Sequence, residues 1–106
     1  MTESEFTGAV IGKNPSHNGQ AFLLNDRQEV YFTFEQDSAD ISLTKNGDTL
    51  AAVYYISQYE EYCVIPFEYE TVYLISGQPL GKDRRYFLPR GTEILIKYTN
   101  ERFELG

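Results

Sequence analysis

The chain has one cysteine, one histidine and no tryptophan among its 106 residues. A single thiol, Cys63, cannot close an intrachain disulfide, so a disulfide-stapled scaffold is excluded and a reducing compartment fits. One Cys and one His cannot build a structural zinc site. Cys63 lies in the apolar run Tyr-Cys-Val-Ile, the setting of a buried, inert thiol. His17 sits among turn-forming residues, and the spacing places no orienting partner or nucleophile beside it. There is no Gly-x-Ser-x-Gly motif, and the stretch from Ser76 to Gly81 lacks the Gly-Lys-Ser/Thr ending of a phosphate loop. Glu68 and Glu70 would share one face of a strand and could meet a hard cation, but a solvated strand face is the plainer reading. The expectation is therefore no catalytic residue, no metal and no cofactor: not an enzyme.

Long hydrophobic runs are also missing. None approaches the roughly 18 residues a membrane-spanning helix needs, and the acidic start, Met-Thr-Glu-Ser-Glu-Phe, lacks the apolar stretch of a signal peptide. A cytoplasmic protein with no membrane partner is expected. Bases are scarce, with nine Lys and Arg against sixteen Asp and Glu, for a net charge of −7. The deficit is uneven. Residues 26–70 hold ten acids and two bases (−8), whereas residues 71–106 hold four acids and six bases (+2). Such a chain repels nucleic acid at long range, although Lys82, Arg84, Arg85 and Arg90 can supply a local basic patch.

What the chain does have is aromatic side chains, nine Tyr and seven Phe. These favour pleated, half-buried surfaces, and the length suits a single domain. Strands are predicted over 6–12, 20–24, 28–35, 41–44, 49–57, 62–66, 67–76, 86–88, 92–98 and 102–105, with Pro66 only bending the chain. Residues 36–39 read as irregular, with room for a short helical turn, and 57–61 as a loop or helical turn. Asn46-Gly47 between two apolar runs predicts a hairpin of 41–44 with 49–57. Ile94, Ile96, Tyr98, Phe103 and Leu105 are assigned to the core. No long amphipathic helix is predicted. The fold expectation is all-β: a single small barrel of OB or SH3-like type over 1–106, with about eight short, mostly antiparallel strands.

The richest stretch is residues 19–34, two aromatic strands around a polar turn. If Phe22, Tyr31 and Phe34 face outwards, they form a platform on which bases of single-stranded RNA or DNA stack, at about 1–3 kcal/mol per base. Alternation groups Phe34 with Val30 and Phe32, so the same residues also read as core. Pattern alone leaves both readings open.

Several segments resemble the cold-shock domain. Thr7-Gly8-Ala9-Val10 is similar to that family's opening Thr-Gly-x-Val strand, with Asn14 where the family often has Asn. Asn18-Gly19-Gln20-Ala21-Phe22-Leu23 resembles its first RNA-binding motif with one residue inserted. Val30-Tyr31-Phe32-Thr33-Phe34 resembles its second motif, and Leu88-x-x-Gly91-x-x-Ile94-x-Ile96 its fourth-strand opening. The resemblance implies an OB-type barrel that binds single-stranded nucleic acid, with Phe22, Tyr31 and Phe34 as stacking positions and Thr33 exposed. Gln20, Asn18 and Thr33 replace the family's aromatic, lysine and histidine, and about 50 residues between Glu35 and Tyr86 have no counterpart of that length.

The leading expectation is thus a nucleic-acid-binding module in which Phe22, Tyr31 and Phe34 stack and Lys13, Arg84, Arg85 and Arg90 contact phosphates. The alternative is an acidic protein-interaction module, of immunity, inhibitor or adaptor type, whose −8 segment docks a basic partner. A third reading is a homo-oligomer, with the acidic segment of one copy meeting the basic C-terminal third of another.

Overall fold

The computed structural model describes residues 8–13, 19–35, 38–43, 45, 49–96 and 101–106, with backbone alone for 34, 35 and 38–40. Ten strands form: β1 (Gly8–Gly12), β2 (Ala21–Leu24), β3 (Val30–Glu35), β4 (Ser38–Ser42), β5 (Thr49–Ile56), β6 (Glu61–Pro66), β7 (Val72–Leu74), β8 (Tyr86–Pro89), β9 (Thr92–Ile96) and β10 (Glu101–Leu105). They make two antiparallel five-stranded sheets, ordered β2-β1-β10-β9-β7 and β4-β3-β5-β6-β8. The all-β expectation is met, but the single barrel is not. Among the described residues no ladder joins the edges of the two sheets, and the fold is a two-layer sandwich.

Alternation drives this arrangement. In β1 and β10 every second residue is buried, as expected for strands with one face on a core. Val10, Ile94, Ile96, Phe103 and Leu105 from the first sheet meet Val30, Phe32, Val53, Tyr62 and Val64 from the second in one apolar cluster. Phe32 and Phe103 join the layers, with ring centroids 4.9 Å apart and planes tilted by 49°. Each fully buried side chain of this size contributes about 1.5–3 kcal/mol. Tyr98, also assigned to the core, lies outside the described residues.

Three local expectations change. Asn46-Gly47 lies outside the described residues, and the strands flanking it do not pair with each other. Instead β3 lies between them, paired with β4 on one side and β5 on the other. Two residues connect β3 to β4 and six connect β4 to β5, and the tighter connection closes its pair at lower entropic cost. That pairing also makes a strand of 38–42, part of which read as irregular. Finally, the strand expected over 67–76 is a loop followed by the three-residue β7.

Candidate functional site

Loops gather at one end of the sandwich. β6 ends at Pro66, and Phe67 donates its N–H to Leu50 O at 2.8 Å. The chain then turns tightly. Thr71 is buried and its hydroxyl donates to Glu68 O at 2.9 Å, while Glu70 adopts a left-handed φ of 57°. After β7, residues 78–80 run back along that strand, with Leu80 N–H donating to Val72 O at 2.9 Å, and Asp83 N–H reaches Pro66 O at 2.7 Å. Asp83 is also left-handed, at φ 59°. Arg27 and Glu60, at the opposite end, are left-handed as well, so this backbone conformation is common to both ends of the sandwich.

Cations and rings meet at this end. Lys45 Nζ lies 4.5 Å from the centroid of Phe67 and Lys82 Nζ 6.0 Å from that of Tyr69, within or at the limit of cation–π range. Lys82 also pairs with Glu68 at 3.8 Å. Tyr69 is 68% exposed, unusually open for a tyrosine. Arg84 is exposed and makes no ion pair among the described residues, and Arg85 donates only to the neutral Tyr54 hydroxyl, at 3.3 Å.

The residues expected to bind nucleic acid are dispersed. Phe22, on β2, stands opposite Val10, half-buried and packed on the core. Tyr31, on β3, points out of the other sheet, and its hydroxyl donates to Glu29 at 2.8 Å. That bond to a carboxylate raises the Tyr31 pKa. The two segments similar to the cold-shock RNA-binding motifs therefore lie in different sheets, and Phe22 and Tyr31 share no face. Phe34 pairs with Ala39 through the β3–β4 ladder; its side chain lies outside what is described. Thr33, implied to be exposed, is buried. Lys13 pairs with Glu104 of the first sheet at 3.3 Å. Arg90 follows β8 at the end opposite Arg84, because Pro89 stands against Glu61 and Tyr86 against Val64. It donates to Tyr55 Oη at 3.4 Å and to Gly106 O at 3.5 Å. Arg84 and Arg85 are neighbours only as consecutive residues, and Arg85 turns to Tyr54.

The acids of 26–70 are spread as well, with Asp26 beside Ser57 at one end and Glu68 at the other. Cys63 is fully buried, and burial pushes its thiol pKa up. His17 lies outside the described residues. The Phe67–Tyr69 contribution was missed because Phe-Glu-Tyr-Glu-Thr-Val-Tyr alternates as a strand does. The signal against a strand was Thr71, placed to close a turn on Glu68.

No protein-family model matches the chain, and no curated protein matches it. Among solved structures it is similar to the crystal structure of the MEK1 FHA domain, with a TM-score of 0.66, 15% identity, and coverage of 92% of this chain and 87% of that one. At this identity the likeness is one of fold, a β-sandwich.

Proposed function

We propose that this chain is a non-enzymatic protein-binding module that takes a phosphorylated peptide segment at the loop end of the sandwich. The observation that carries the reading is Arg84, exposed and without an ion pair among the described residues, in a loop end where Lys45 and Lys82 lie beside Phe67 and Tyr69. Guanidinium groups recognise phosphate through paired, charge-assisted hydrogen bonds, and an open ring such as Tyr69 adds apolar contact to the residues flanking the phosphate. Binding residues on loops held by a rigid sandwich are a common arrangement. The likeness to an FHA domain, a binding module, is compatible with a phosphopeptide partner.

Fluorescence anisotropy tests this with three labelled probes: a phosphothreonine peptide, its unphosphorylated twin and a single-stranded RNA. Saturable binding of the phosphopeptide, at least tenfold tighter than its twin and weakened by Arg84→Ala, is expected. Equal affinity for the twin would remove the phosphate from the account. RNA binding that depends on Tyr31 and not on Arg84 would replace this reading with the nucleic-acid one.

A further inference from the structure

Each sheet has two outer strands, and an unpaired strand edge is a template for another strand unless something blocks it. Three of the four edges are blocked or charged. β7 is only three residues long, and residues 78–80 lie along it, with Leu80 N–H donating to Val72 O and Leu74 N–H to Gln78 O, both at 2.9 Å. β8 ends in Pro89, with Arg84 and Arg85 before it and Arg90 after it. β4 has an acid in its sequence, Asp40. Among the described residues β2 has none of these. Ala21-Phe22-Leu23-Leu24 holds no charge and no proline, and its register with β1 runs without a bulge.

The ladder fixes which backbone groups of β2 stay open. Opposed residues of an antiparallel pair are hydrogen-bonded alternately. Gly12 N–H donates to Gln20 O at 2.9 Å, so Val10 with Phe22 and Gly8 with Leu24 are the next bonded pairs. Ala9, opposite Leu23, turns the other way: its carbonyl accepts the Gly106 N–H at 2.9 Å, and its own N–H goes to Tyr62 Oη at 2.8 Å. The N–H and C=O groups of Ala21 and Leu23 therefore point out of the sheet edge, and among the described residues nothing pairs with them. Both residues are exposed, Leu23 at 46%.

We infer that β2 pairs with β2 of a second copy of this chain, antiparallel, about a two-fold axis through Phe22. The edge is its own complement. The axis exchanges the two open positions, so Ala21 meets Leu23 of the second copy and Leu23 meets its Ala21. Each meeting closes two N–H···O bonds, so the two meetings close four. On the outward face the small Ala21 lies against the larger Leu23, and the half-buried Phe22 side chains face each other across the axis on the core side. No like charges oppose one another, because residues 19–25 are uncharged. A strand of another sequence would satisfy the same backbone groups, but the spacing that maps this edge onto itself favours a second copy. The first sheets of the two copies become one continuous sheet. None of the pairing residues belongs to the proposed peptide site, so the two readings fail separately.

Sedimentation velocity of the full chain over a concentration series tests it. The expected result is a mass rising from 12.2 kDa towards twice that value. Ala21→Pro removes an N–H that the β1 ladder does not use, and it should weaken association at least tenfold while leaving phosphopeptide affinity unchanged. Leu23→Lys, at an exposed position, should weaken association as well. Adding Ala21→Glu to Leu23→Lys should restore it, because opposite charges then face each other across the axis. Tyr69→Ala, at the loop end, should leave association unchanged. Circular dichroism melts of each variant separate loss of contact from loss of fold, and if Ala21→Pro does not fold, Leu23→Lys and its paired variant decide. A wild-type chain that stays at one mass throughout overturns the inference, as does association that survives a folded Ala21→Pro or a charge pair that fails to recover it.

Discussion

The hydroxyl of Tyr62, on the interior strand β6 of one sheet, accepts the backbone N–H of Ala9, on β1 of the other, at 2.8 Å. The same hydroxyl has one proton to give, and Gly106 O lies 2.8 Å away with Ala9 O at 3.1 Å. One side chain thus crosses the core and ties one end of the β1–β10 pair, where the start of β1 meets the end of β10. Arg90 adds to the tie, lying over the Tyr55 ring at 5.5 Å while Tyr55 packs against Tyr62 with centroids 4.8 Å apart. Burial raises the Tyr62 pKa, so it stays a neutral donor.

Tyr62→Phe keeps the ring and removes the tie. Ala9 N–H and Gly106 O lose a partner while still partly buried, which costs about 1–3 kcal/mol. A urea titration should show the midpoint falling with the slope unchanged.

Gly8→Ala tests the same corner by steric means. A Cβ at Gly8 would lie 2.6 Å from Tyr62 Oη and 2.8 Å from Tyr55 Cγ. Removing a glycine gains roughly 0.4–1 kcal/mol through the unfolded chain, but overpacking costs about 1–3 kcal/mol. The net expectation is a lower melting temperature, and an unchanged or higher one would mean the corner gives way freely.

Two phenylalanines on opposite sides of the second sheet's layer should respond differently. Phe103 is fully buried against Phe32, whereas Phe87 faces outwards. Phe103→Ala should cost about 3–5 kcal/mol. Phe87→Ala, measured at a concentration where the chain is dilute, should stay within about 0.5 kcal/mol of wild type.

Acid sensitivity should involve Asp26. Its carboxylate accepts the Ser57 N–H at 2.8 Å, and that bond holds its pKa below the ordinary value, with Arg27 adding to the effect. A depressed carboxylate contributes stability that is present above the unfolded-state pKa and is lost as pH falls through the folded one. Asp26→Asn retains an acceptor but not the charge. Thermal melts from pH 6 down to pH 2 should therefore show a shallower decline for the variant, and parallel curves would remove Asp26 from the account.

Salt dependence separates the arginines. Arg84 sits at the loop end and Arg90 at the other, engaged with Tyr55 and Gly106. Arg84→Ala should both weaken phosphopeptide binding and flatten its dependence on salt, because one screened charge contact is gone. Arg90→Ala should leave both unchanged while lowering the melting temperature modestly.

Much of the fold was legible because period-two alternation reports directly on which side chains a sheet turns inwards. Ile94, Ile96, Phe103 and Leu105 could be assigned to the core in advance for that reason. Alternation misled where a loop imitated it, as in Phe67 to Thr71. Asn46-Gly47 misled because turn propensity is local and does not say which strand a neighbour will choose.

By itself, the sequence determined an all-β domain with an apolar set on one side of each strand, since burial of alternating side chains needs no knowledge of partners. Only the tertiary structure decided that the strands form two layers and not a closed barrel, that β2 and β3 fall in different sheets, and that Phe22 turns inwards while Tyr31 turns out. It alone brought Lys45, Phe67, Tyr69, Lys82 and Arg84 to one end. The physical reason is that sheet order depends on contacts between residues far apart in the chain, whose closure costs and packing gains no local pattern records.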